Sequence, residues 1–303
     1  MRYAFSKALL KIAKKDNKVI FLTGDLGFNT FETLQKNLKN RFINAGIAEQ
    51  NMVTAAAGLA YTGLKPWIYS ITPFVTIKVL EQLRNDICFS KTNVKVVGLG
   101  GGYDYEVAGP THHNLEDVGI LSALPNMQVY IPAIADDVET VVRQMYKETG
   151  PTYLRLAKAR PVAIKIKKYA GCRQILKGEQ ITVVVLGSIV DKAIEVALEL
   201  NRKDKNIDLW SICRLPLDLP QPLLDSIRKT KCLSVIEEHV AAAGLGQFIS
   251  RALHLKEIPI NHFIHFYAKG YLSKKTGSRD YYLKQSGLDT ESIIKVLRSL
   301  LND

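Results

Sequence analysis

The chain is 303 residues long, with 47% apolar and 23% charged residues. That ordinary globular balance excludes a disordered tail, a collagen-like fibre and a small disulfide scaffold, and the length corresponds to roughly two domains able to bury a core without staples. Lys and Arg outnumber Asp and Glu by 41 to 29, a formal charge of +12 that admits an acidic partner or a phosphorylated ligand and requires neither.

Tyr3, Phe5, Ala8, Leu9, Ile12 and Ala13, with lysines between them, predict an amphipathic first helix and not a signal peptide. Residues 19–23 predict a short strand, ended by Gly24-Asp25-Leu26-Gly27. A helix is predicted over 48–61, stopped at Gly63, with so little polar face that burial is expected all round. Residues 65–69 predict a strand. Phe74, Ile77, Leu80 and Leu83, at spacing three, predict a helix over 74–88. A strand over 94–99 runs into Gly100-Gly101-Gly102. A helix starting near Leu115, a strand over 129–131 and a helix over 136–145 follow.

Eight basic residues and no acidic one stand between Arg155 and Lys177, in a stretch that also holds Pro161 and Gly171. This composition predicts the end of one domain and a connection to the next, with domains over 1–165 and 178–303 and a linker over 166–177. The pattern then restarts with strands over 181–186, 207–212 and 233–236, a helical stretch after Gly187-Ser188 to Leu200, and helices over 244–255 and 290–301. The fold class expected is α/β, two consecutive domains, each a mainly parallel sheet flanked by helices. Cys88, Cys172, Cys213 and Cys232 are scattered without a CxxC pair, which predicts reduced thiols and no metal site. No apolar run approaches the ~18 residues of a membrane span, so a cytoplasmic protein without a membrane partner is expected.

Three segments carry candidate chemistry. Gly46-Ile47-Ala48-Glu49 places a carboxylate in the first turn of an apolar helix, where a buried Glu needs a partner or keeps its proton. The plainer alternative is a charge stabilised by the helix dipole, and spacing alone favours it. Gly109-Pro110-Thr111-His112-His113 puts two imidazoles on a stiffened loop, suited to acid–base work or simply to loop polarity. The run Gly98-Leu-Gly-Gly-Gly102 lacks the GK[ST] of a phosphate loop, and its glycines fit a close backbone approach better.

Taken in order, several of these segments resemble the C-terminal half of transketolase, its pyrimidine-binding domain followed by its C-terminal domain. The carrying residues are Leu22-Thr-Gly-Asp25-Leu, Phe42-Ile-Asn-Ala-Gly-Ile-Ala-Glu-Gln-Asn-Met52, Ile71-Thr-Pro-Phe74 through Glu81-Gln-Leu-Arg-Asn-Asp86, Ala108-Gly-Pro-Thr-His-His113, Leu124-Pro-Asn-Met127 and Gly150-Pro-Thr-Tyr-Leu-Arg155. Weaker echoes lie at Val235-Ile-Glu-Glu238, Gly244-Leu-Gly246 and Gly287-Leu-Asp289. The resemblance covers essentially the whole chain.

It implies a thiamine diphosphate-dependent transferase that moves a two-carbon ketol unit between sugar phosphates. Glu49 would hydrogen-bond N1′ of the cofactor's aminopyrimidine ring, Phe74 would stack on that ring, and Asp25 would stand on the cofactor side. His112 would face the thiazolium and the donor substrate, with His113 beside it, and Lys158 would take the place of a family Arg that grips the substrate phosphate. Ala108 departs from the Asp common before this Gly-Pro-Thr-His, and glycine replaces an upstream His, so the usual pentose phosphate donor is in question.

No G-D-G…N motif matches the family's diphosphate-binding domain, because Gly24-Asp25 is followed by Leu26. The chain would therefore be one subunit of a split enzyme, and its partner would carry the diphosphate and Mg²⁺, naturally as an α2β2 assembly. The alternatives weighed are a β subunit of a 2-oxo acid dehydrogenase and a deoxyxylulose-phosphate-synthase-like enzyme. A nucleic-acid partner is not expected, because no aromatic–basic motif accompanies the positive charge.

Overall fold

The structure is a computed structural model that describes residues 1–158, 160–202, 206–271 and 275–302. Strands alternate with helices along the whole chain. They are β1 (Val19–Thr23), β2 (Phe42–Asn44), β3 (Lys65–Ile71), β4 (Lys95–Leu99), β5 (Gln128–Tyr130), β6 (Thr152–Leu156), β7 (Cys172–Leu176), β8 (Ile181–Leu186), β9 (Ile207–Ile212), β10 (Arg214–Leu215), β11 (Cys232–Glu237) and β12 (His262–Tyr267). The first sheet has the order β10-β5-β6-β4-β3-β1-β2 and the second β12-β11-β8-β9-β7. All pairings are parallel except β10 with β5 and β7 with β9, as the α/β reading expects. Central strands such as β1 and β8 are buried at every position, which is why they read as apolar runs, whereas β6 is equally buried but holds Thr152 and Arg155 and gives no such run.

Short elements escaped the sequence reading. Within the stretch read as a linker, Cys172–Leu176 forms β7 on the edge of the second sheet. β10, from the second half of the chain, adds an antiparallel edge to the first sheet. Two helical expectations also change. The helix Glu49–Tyr61 buries Glu49, Met52, Val53, Ala56 and Ala57, one face only, and exposes Gln50, Asn51, Thr54, Ala55 and Gly58. Its outer face, with the polar Gln50, Asn51 and Thr54 beside small residues, is open to solvent.

The stretch 74–88 is not one helix. A turn over Thr72–Val75 breaks at Thr76, a 3-10 turn covers Ile77–Val79, and a π-helical segment covers Leu83–Phe89. The Thr76 hydroxyl donates to the Thr72 carbonyl at 2.6 Å and accepts from Asn114 Nδ2 at 3.0 Å. This side chain competes with the backbone for the bonds that would continue the helix.

The glycine run after β4 lets neighbouring groups come against the backbone. A Cβ on Gly101 would lie 1.7 Å from Arg155 Nε, and Gly102, at φ +61, would press a Cβ into the Glu238 carboxyl. Glu238, from the end of β11, accepts the Tyr103 backbone N–H at 2.8 Å and the Arg279 guanidinium at 2.9 and 2.5 Å. Arg155 donates to the Glu238 carbonyl at 3.1 Å and lies 3.6 Å from Asp117. These buried groups tie the two sheets together. Burial pushes the Glu238 carboxyl up, but the charge and hydrogen bonds of Arg279 outweigh it and hold the group below its ordinary value.

Several of the eight cations between 155 and 177 are thereby accounted for inside the chain. Arg155 faces Asp117, Lys158 meets Glu106 at 2.8 Å, Arg160 meets Asp104 at 2.8 Å, and Arg173 bonds Asp137 through both nitrogens.

Arg279→Ala strands the buried Glu238 charge and should cost about 3–5 kcal/mol at pH 7 in denaturant unfolding. The folded Glu238 value lies below the unfolded one of about 4.3, so the stability it contributes is present above that pH and lost as pH falls through the folded value. The gap between wild type and Arg279→Ala should therefore narrow below about pH 4; a gap that stays constant contradicts this role for the pair.

Candidate active site

In the first sheet the chain steps from β1 to β2 on one side and to β3 on the other, so the strand order reverses beside β1. At such a switch point the loops leaving neighbouring strands separate and open a crevice at the carboxyl edge. Glu49, the first residue of its helix, faces this crevice with only 3% exposure. Its Oε1 accepts from the Ser70 hydroxyl at 3.3 Å and its Oε2 from the Lys78 ammonium at 2.6 Å. Gly24, just after β1, closes the inner side. A Cβ there would stand 3.3 Å from Ser70 Oγ and 3.5 Å from Glu49 Oε1. The sequence missed Ser70 and Lys78, although a single lysine in the apolar run Phe74–Leu80 signalled a charge needing a partner.

The predicted residues distribute unevenly along this rim. Phe74, half-buried, has its ring 5.4 Å from that of His112, nearly edge to face, and 5.8 Å from the Lys78 ammonium. His112 Nδ1 shares a 2.9 Å hydrogen bond with the Thr111 hydroxyl, and Tyr105 stands 5.6 Å away on its other side. Asp25 is exposed beyond β1, where its carboxylate accepts from Asn44 Nδ2 at 3.0 Å. Lys158, exposed beyond β6, lines a cavity of about 450 Å³ with Arg2, Gly100, Asp104 and Tyr105.

His113 stands apart from them. It is 1% exposed, its Nε2 bonds the Glu106 carbonyl at 2.9 Å, and its ring lies among Tyr103, Tyr271 and Tyr282. Burial holds its imidazole below the ordinary value. His113, expected beside His112 at the substrate, is instead packed against tyrosines of the second half of the chain and does not line the rim with it.

The arrangement offers a buried carboxylate, an aromatic face and an imidazole on one rim. That set suits a flat, nitrogen-bearing heteroaromatic ring, with a proton to share at the carboxylate and a face to cover at Phe74. Among the described residues, no group of three or more His, Cys, Asp or Glu gathers where it could hold a metal ion. Among them too, no helix is long and apolar enough to cross a membrane.

A family model for the transketolase pyrimidine-binding domain matches residues 1–161, and one for the transketolase C-terminal domain matches residues 171–293. The chain is 29% identical over 268 residues to a subunit of the apulose-4-phosphate transketolase of Phocaeicola vulgatus, covering 86% of this chain and 85% of that one. It is 29% identical over 307 residues to the 1-deoxy-D-xylulose-5-phosphate synthase of Clostridium perfringens, covering 98% of this chain and 48% of that one. A solved split-gene transketolase, described as an inactive beta4 tetramer, superposes with a TM-score of 0.87 at 29% identity, covering 99% of this chain and 98% of that one.

None of the four cysteines is in a disulfide, and none belongs to this rim. Burial pushes the thiols of Cys88 and Cys172 up to about 12 and those of Cys213 and Cys232 up to about 11. Iodoacetamide at pH 7.5 should therefore label the folded chain far more slowly than the unfolded chain, by mass spectrometry. Rapid labelling of any one thiol in the native protein contradicts this.

Proposed function

The chain belongs to the transketolase family, and from that premise we propose that it is the C-terminal subunit of a split, thiamine diphosphate-dependent transketolase. Its reaction would move a two-carbon ketol unit between sugar phosphates. The observation that carries the reading is the buried Glu49 carboxylate at the crevice, with Phe74 and His112 on the same rim. When bound, thiamine diphosphate supplies a thiazolium carbon nucleophile able to take up and pass on the two-carbon unit.

Glu49 would exchange a proton at its carboxylate with the pyrimidine ring nitrogen, in a setting that excludes water from that exchange. Phe74 would cover the ring face. With Nδ1 engaged by Thr111, His112 is left with Nε2 to move a proton on the substrate. Lys158 and Arg2 border the adjoining cavity and would hold the anionic end of the sugar. Lys158 keeps the charge of an arginine there without its bidentate fork. Asp25 stands at the edge that a second chain would approach.

That second chain would bring the diphosphate and Mg²⁺ site, which makes a cytoplasmic α2β2 assembly the expected form. The related split-gene protein, solved as a beta4 tetramer described as inactive, supports the need for a partner. Ile47 and Tyr61, 83% and 70% exposed at either end of the Glu49 helix, fit a surface that another subunit covers. The match to a deoxyxylulose-phosphate synthase favours a second reading, in which a 2-oxo acid is the donor.

With the reconstituted pair, turnover is expected from a ketose phosphate donor; turnover only from a 2-oxo acid would transfer the assignment to the second reading. Glu49→Ala should reduce turnover by about 10²–10⁴-fold with folding intact, and activity like the wild type refutes the role given to Glu49. By calorimetry the isolated chain should bind thiamine diphosphate poorly, and tight binding counts against the split site.

A further inference from the structure

Gly24, Ser70 and Lys78 lie around the Glu49 carboxylate. Gly24 and Ser70 are buried, whereas the Lys78 side chain is 42% exposed. From solvent, Glu49 is therefore reached past Lys78. The ammonium sits 2.6 Å from Glu49 Oε2 and 5.8 Å from the centre of the Phe74 ring, so it touches the hydrogen-bonding edge of the slot and its aromatic face together. Lys78 arrives there because the chain breaks at Thr76 and continues as the 3-10 turn Ile77–Val79 against the Glu49 helix. The Gln50 side chain reaches the Lys78 carbonyl at 3.5 Å and helps tie that turn to the helix.

We propose that Lys78 is the occupant of the pyrimidine slot in the unliganded protein. Its N–H donor stands on Glu49 where the ring nitrogen would bond, and its charge stands over Phe74 where the ring would stack. Entry of the pyrimidine requires the lysine to swing out to solvent. The inference rests on the roles proposed above for Glu49 and Phe74. A long, half-exposed lysine suits the task. Its pair with Glu49 satisfies a buried carboxylate that would otherwise be stranded, its other side already faces water, and the incoming ring would take over its bond to Glu49, so the exchange leaves no buried charge unpaired. An occupant that fills the slot nine-tenths of the time lowers the apparent affinity for a competing ligand about tenfold. Lys78 would thus set how much cofactor the enzyme needs before its sites fill, independently of the chemistry that follows.

Thiamine tests this on the full chain alone, since it carries the pyrimidine ring and no diphosphate and so needs only this wall of the site. Binding is followed by saturation-transfer NMR for the wild type, Lys78→Met and Lys78→Arg, with Lys78→Gln as a second neutral variant should the Met protein fail to fold. The neutral variant should bind about tenfold more tightly than the wild type, and Lys78→Arg, which keeps a cation and a donor, should stay near the wild type. An unchanged or weaker affinity in the neutral variant, no binding in any of them, or an equal gain in Lys78→Arg overturns the proposal. Glu49→Gln in the assembled enzyme decides the underlying reading separately. Retained turnover there removes the role of Glu49, whereas lost turnover with an unresponsive Lys78 removes only the occupant.

Discussion

The shape of the candidate site depends on one buried ion pair that lies outside it. Glu238 and Arg279, 5% and 3% exposed, would be costly as isolated charges, so each must find all its partners within the fold. Glu238 finds one of them in the Tyr103 backbone, and Arg155 reaches from β6 to the Glu238 carbonyl. Only glycines at 101 and 102 let these groups come so close. The loop that carries His112 is therefore anchored at its start by Glu238 and Arg279 of the second half of the chain, and His113 anchors its end among Tyr103, Tyr271 and Tyr282. His112 lies between two clamped points.

The crevice itself follows from topology. Reversal of the strand order beside β1 opens the carboxyl edge of the sheet, and the Glu49 helix starts there. The helix buries one face against its own sheet and leaves the other bare, and Ile47 and Tyr61 stand exposed beside it. This helix and its crevice lie within the part of the chain that matches the transketolase pyrimidine-binding domain.

The basic run between 155 and 177 is locally less unbalanced than it reads, although the net charge of +12 is unchanged by internal pairing. In the most basic segment, Arg155, Lys158, Arg160 and Arg173 each face a carboxylate of the first half of the chain. Their acids, Asp117, Glu106, Asp104 and Asp137, are far away in sequence, so a composition window registers the cations and not the partners. What reads as an unbalanced run is in good part a set of internal pairs fastening the connection to the first sheet.

Most of the central parallel strands (though not β6, which holds Arg155), several of the longer helices and the order of motifs carrying Glu49, Phe74 and His112 were legible in the sequence alone. Each leaves a local signature, whether an apolar run, a 3.6-residue period or a fixed spacing of Gly, Pro and His. Edge elements such as β2, β7, β10 and β12 were not, because short strands at a sheet margin are specified by the neighbour they pair with more than by their own pattern. The break at Thr76 depended on Asn114, and the side to which His113 turned depended on tyrosines from the other half of the chain. Lys78 shows the division most sharply. Its place in an apolar stretch does not name its partner, and only the fold brings it to a carboxylate 29 residues earlier, because a buried charge takes its partner from space and not from sequence.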